Sequence, residues 1–117
     1  MMIAEQKMFD LSFLEEMDDR NFLIQVIELY LEDTPKDLAE MTQALDIPDA
    51  STIARSAHKL KSSTGMLQAT KLYTILEQTE TIAKSGAVSP QLVDLVNKVN
   101  EEFEVLKTAL RLHLQTL

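Results

Sequence analysis

The sequence predicts an all-α protein: an antiparallel four-helix bundle with an additional short helix at the N-terminus. Three observations carry that expectation. Glycine and proline are scarce, two and three in 117 residues, so few positions interrupt a helix. No stretch alternates β-branched and polar residues in the manner of a half-buried strand. Four long stretches instead repeat apolar residues at steps of three and four, the period of one helix face.

The elements follow in order. Phe9 to Met17, "FDLSFLEEM", reads as the short helix, with Asp10 or Ser12 as its cap. Residues 19 to 33 read as an amphipathic helix with Phe22, Leu23, Val26, Ile27, Leu29 and Tyr30 facing inward. Thr34-Pro35 marks a kink or a fresh start, since proline suits a first helical turn and disfavours helix in the residue before it. Leu38, Met41 and Leu45 continue the stripe. "DIPDAST", residues 46 to 52, is a turn whose two aspartates are both candidate N-caps. The next helix runs to about Met66, weakened near its end by Gly65.

A further helix spans 69 to 84, with Leu72, Ile75, Leu76, Thr79 and Ile82 on one side. "KSGAVSP", 84 to 90, is a loop. The last helix starts near Pro90 and carries Leu92, Val96, Val99, Phe103, Leu106 and Leu110 at alternating steps of four and three. That is the seam of a helix packed nearly parallel or antiparallel to its neighbours. Short connections make the bundle antiparallel.

Length and composition bound the function. Residues 1–117 are expected to form a single domain around one core. There is no cysteine, so neither a disulfide nor a thiolate metal site can form, and a reducing cytoplasm fits. No apolar run approaches a membrane span, and "MMIAEQKMFD" has no apolar stretch of a secretory signal. A net charge of −8 argues against nucleic acid, whose phosphates need a basic surface. That charge is unevenly spread. Thirteen of the 19 acidic residues lie in residues 1 to 49, and residues 50 to 76 contain none. Those 27 residues hold Arg55, Lys59, Lys61, Lys71 and His58.

On a wheel of about 100° per residue, Ile53, Ala57, Leu60, Thr64 and Leu67 share the core side. His58 falls roughly opposite, facing water or a partner. Around it stand the small residues Ser51, Ala54, Ser62 and Gly65, and Arg55 and Lys61 flank it. A core histidine belongs on the apolar face, and this one is not there. Small neighbours suit the close approach of another protein, and the cations suit an anion at the ring nitrogen. An imidazole nitrogen with a free lone pair is a nucleophile, and a phosphoryl group on it would lie between Lys61 and Arg55.

The stretch "AHKLKSSTG" resembles the signature of histidine-containing phosphotransfer (HPt) domains, in which A-H-x-L-K-G opens the motif. Ala57, His58, Leu60 and Lys61 match as they stand, and Gly65 matches a small residue seven positions after the histidine. The resemblance covers essentially the whole chain. It implies a relay: His58 accepts a phosphoryl group from a receiver-domain aspartate and passes it to another receiver aspartate. Lys61 would neutralise phosphoryl oxygens, and Ser51, Ala54, Arg55, Ser62 and Gly65 would meet the docking partner. Glu80, 22 positions after His58, falls where the family often places an acidic or amide side chain near the imidazole. It could orient the ring, against the alternative of a solvated surface glutamate. The partners implied are response-regulator receivers and a sensor or hybrid histidine kinase.

The resemblance implies no cofactor on this chain. The receiver would bring Mg²⁺, and nothing here resembles a Gly-rich nucleotide cradle. A cytoplasmic monomer without kinase activity of its own is expected, touching neither nucleic acid nor membrane. Two positions depart from the pattern: Ser62 and Gln68 stand where glycines are usual, which bears on partner choice and transfer rate. His113, one seam step after Leu110, reads as a packing or helix-end residue. No H-x-x-x-H or E-x-x-H spacing suggests a metal site. The methionines read as gap-filling or surface residues, and Glu15 to Asp19 as a solvated helix junction. The alternative function is a bundle adaptor that binds a receiver or kinase through the same patch without being phosphorylated.

Overall fold

The structure, a computed structural model, describes residues 8–117. The first seven residues, weighed above against a secretory signal, lie outside that range. The described residues form five helices and no strand: α1 (Ser12–Glu15), α2 (Arg20–Asp46), α3 (Ala50–Met66), α4 (Thr70–Ala83) and α5 (Pro90–Leu114). Connections of a few residues make successive long helices antiparallel. α2 packs on α3, α3 on α4, α4 on α5 and α5 back on α2, while α1 lies against α2. No described helix is long and apolar enough to cross a membrane.

Side-chain caps start three of the long helices. Asp19 accepts from the Phe22 amide, Asp49 from the Thr52 amide and Ser89 from the Leu92 amide. Asp46 instead closes α2, so only one of the two turn aspartates is a cap. α1 is a single turn, shorter than Phe9 to Met17. Asp10 accepts from the Ser12 amide ahead of it, and Asp18 ends the segment in the left-handed region at φ 51.

Every predicted seam residue of α5 is buried. Ile53, Ala57, Leu60, Thr64 and Leu67 of the α3 region are buried to 1% exposure or less. α4 buries Leu72, Leu76 and Thr79, with Ile75 and Ile82 half-buried.

α2 corrects the sequence reading twice. It takes no fresh start at Thr34-Pro35 but continues as one 27-residue helix. Pro35 is exposed, and the stripe stays in register across it. Leu29, expected inward, is 58% exposed. The stripe that packs is Leu23, Ile27, Tyr30, Thr34, Leu38 and Met41, and Leu29 lies roughly 135° from its centre, toward the outer side. Tyr30 ties α2 to α3 through a buried 2.8 Å hydrogen bond between its hydroxyl and Thr64 Oγ1, and burial pushes its phenol up to about 12.

Candidate functional site

α3 begins at the Asp49 cap and turns its apolar stripe into the core, which fixes where every other side chain of the helix points. His58, mid-helix, projects outward with its side chain 66% exposed. Ser51, Arg55 and Ser62 are exposed on the same outer face, while Ala54 and Gly65 are half-covered. Ser62 turns its hydroxyl back toward the His58 carbonyl at 3.4 Å. Gly65 faces the Tyr73 ring. A Cβ added there would sit 3.4 Å from that ring, an ordinary contact, so packing does not demand a glycine.

Glu80 lies in contact with the imidazole and is not a solvated surface residue. It is buried on α4, its side chain 6% exposed, and it draws three donors together. Oε2 lies 2.8 Å from His58 Nδ1 and 3.2 Å from Lys84 Nζ, and Oε1 lies 2.9 Å from Lys61 Nζ. The Lys61 hydrogen bond, helped by Lys84 and His58, outweighs burial and lowers the carboxyl from 4.5 to about 2. The same Glu80 contact holds the Lys61 ammonium above its ordinary value. Lys61 is tucked in rather than waving free, only 19% exposed and 5.9 Å from the centre of the Tyr73 ring.

This geometry fixes a tautomer. An ionised carboxylate only accepts hydrogen bonds, so Nδ1 must carry the proton it donates to Glu80. A neutral ring then has its lone pair on Nε2.

Sequence reasoning missed two residues of this cluster, Lys84 and Tyr73. Lys84 drew notice only as the junction of a helix and a loop, although its place four residues after Glu80 is the spacing of a helix-surface ion pair. Tyr73 carried no signal of its own. Leu29 and Met66, both more than half exposed, border a groove of about 240 Å³ that also takes in Val26, Tyr30 and Lys59. His113 is apart from all of this: its ring packs edge-on against Phe9 at 5.6 Å. No metal-holding cluster of acidic or histidine side chains occurs among the described residues.

Fold and site together define a class: a helical bundle that presents one tethered imidazole to solvent. The Hpt domain family matches residues 25–117, and this chain belongs to that family. Among solved structures it is similar to histidine-containing phosphotransfer protein B (HptB) of Pseudomonas aeruginosa, with a TM-score of 0.88 at 19% identity. That match covers 97% of this chain and 99% of the other. No curated protein matches it.

Proposed function

We propose that this protein is a phosphorelay intermediate, taking a phosphoryl group on His58 Nε2 from a receiver aspartate and giving it to another. The observation that carries the assignment is the 2.8 Å bond from His58 Nδ1 to a carboxylate that only accepts. It leaves Nε2 as the nucleophile, on an exposed ring in a family of phosphotransfer domains.

In the transfer, the Nε2 lone pair forms the N–P bond as the acyl-phosphate O–P bond breaks. The electron pair of that bond leaves with the receiver carboxylate. The ring becomes cationic and keeps its Nδ1 proton against Glu80, whose negative charge supports it. Lys61, on a flexible stem three residues on, neutralises phosphoryl oxygens. Such transfer needs in-line positioning and charge compensation, and the receiver supplies Mg²⁺. This chain is therefore a carrier, not a kinase.

A receiver would cover Ser51, Ala54, Arg55, Ser62 and Gly65, and the apolar border at Leu29 and Met66 extends that surface. The domain would work as a monomer in the cytoplasm, served by a sensor or hybrid kinase through its receiver. The test is direct: incubation with a phosphorylated receiver should label the protein with acid-labile, base-stable phosphate. Labelling of a serine, threonine or aspartate instead would overturn the assignment.

A further inference from the structure

Glu80 poses a problem for the transfer just described. It is buried, and in the resting state its Oε1 is satisfied by Lys61. To reach a phosphoryl group at Nε2, Lys61 must share its donors between that group and Oε1 or turn away from the carboxylate. If it turns outward, a buried carboxylate loses its closest cation at the moment the neighbouring ring becomes positive. A buried carboxylate left short of partners is costly, and its answer is to take up a proton. A protonated Glu80 would then no longer support the cationic ring.

Lys84 resolves this. It reaches Glu80 Oε2 at 3.2 Å from the residue that follows α4, while its side chain stays 66% exposed. It shares that oxygen with His58 Nδ1, so its charge lies on the side of the carboxylate that faces the ring. Nothing ties it to α3. The cluster of Glu80, Lys61 and Lys84 carries one net positive charge before transfer, and a phosphoryl group brings about −1.5 to −2.

Resting on the phosphorelay reading, we infer that Lys84 is a positioning residue: it keeps Glu80 ionised and aimed at His58 Nδ1 while Lys61 turns to the phosphoryl oxygens. It touches neither the reacting nitrogen nor the phosphorus. Its action passes through Glu80.

The test is single-turnover transfer from a phosphorylated receiver, measured for Lys84→Met and Lys84→Arg, each alone and with Glu80→Gln. Lys84→Met should slow acceptance by roughly threefold to fivefold, the scale of an exposed ion pair, and Lys84→Arg should restore it. In the Glu80→Gln background, Lys84→Met should have no further effect. Equal slowing in both backgrounds would overturn the inference, because Lys84 would then act on the phosphoryl group, the partner or the α4 helix end. No slowing in the otherwise native protein would overturn it too. Failure of His58 to label at all would instead sink the phosphorelay reading, so the two failures are distinguishable.

Discussion

The two faces of α3 share 17 residues and obey opposite rules. On the inner face Ile53, Ala57, Leu60 and Thr64 are sealed among apolar neighbours, and their value lies in burial. On the outer face most side chains stay open to solvent, and what is organised there is charge. Each cation there meets an acid from another helix: Arg55 reaches Glu40 at 4.0 Å, Lys59 reaches Asp37 at 3.2 Å and Lys61 reaches Glu80 at 2.9 Å. The stretch without acid in sequence is thus not without acid in space. The inner face makes the helix a fixed platform, and the outer face uses it to hold an imidazole at a chosen angle. Inner changes should therefore cost stability and spare chemistry, and outer changes the reverse.

The sharpest break of that pairing is His58→Gln. Labelling by a phosphorylated receiver should be lost completely, while far-UV circular dichroism and the melting temperature stay near those of the native chain. Persistent labelling would move the acceptor elsewhere. Leu60→Ala is the counterpart two residues away. Leu60 is 1% exposed, so truncation should cost about 2–5 kcal/mol by denaturant titration. The folded fraction should still accept phosphate on His58. A cost well below that range would remove Leu60 from the core and undo the division into faces.

The inner face was legible in the sequence because burial follows periodicity, and periodicity is local. The same holds for the α5 seam. Leu29 failed because the apolar residues from 22 to 30 alone span a wide arc that takes it in, while Thr34, Leu38 and Met41 set the buried stripe away from it. Pro35 was read as a boundary on propensity, and packing on both sides of it carried the helix through. On the outer face only the residues of α3 itself could be read. The Glu80 contact came with the family resemblance, and the solvated alternative was open until α4 was seen to bury that side chain. Lys84 needed both helices in place, since its meaning depends on what Glu80 touches.

A smaller effect probes the join between the faces. Glu80→Gln keeps an acceptor for Nδ1 but removes the charge that supports a cationic ring. Transfer should slow about tenfold, one pK unit of lost interaction. The same variant should change the response to acid. The Glu80 carboxyl falls from 4.5 to about 2 in the folded protein, so its contribution is present above pH 4.5 and is lost as pH falls toward 2. The native protein's stability advantage over Glu80→Gln should shrink across that window and not above it. A gap independent of pH would mean that packing, not charge, distinguishes the two.

The smallest expected effect concerns Gln68, one of the two positions where glycine is usual. The sequence alone suggests that this departure alters docking. The structure gives it a backbone reason instead. Gln68 follows the last residue of the α3 cap at φ 50, in the left-handed region that glycine enters freely. Its amide bonds the Gly65 carbonyl at 3.0 Å and the Ala69 amide bonds the Thr64 carbonyl at 3.4 Å, the paired pattern that closes many helices. A side chain there costs about 1–2 kcal/mol, against the roughly 0.5–1 kcal/mol of extra chain entropy that glycine loses on folding. Gln68→Gly should therefore stabilise the protein by up to about 1 kcal/mol and leave the transfer rate unchanged. A change in rate with no gain in stability would assign Gln68 to the outer face after all.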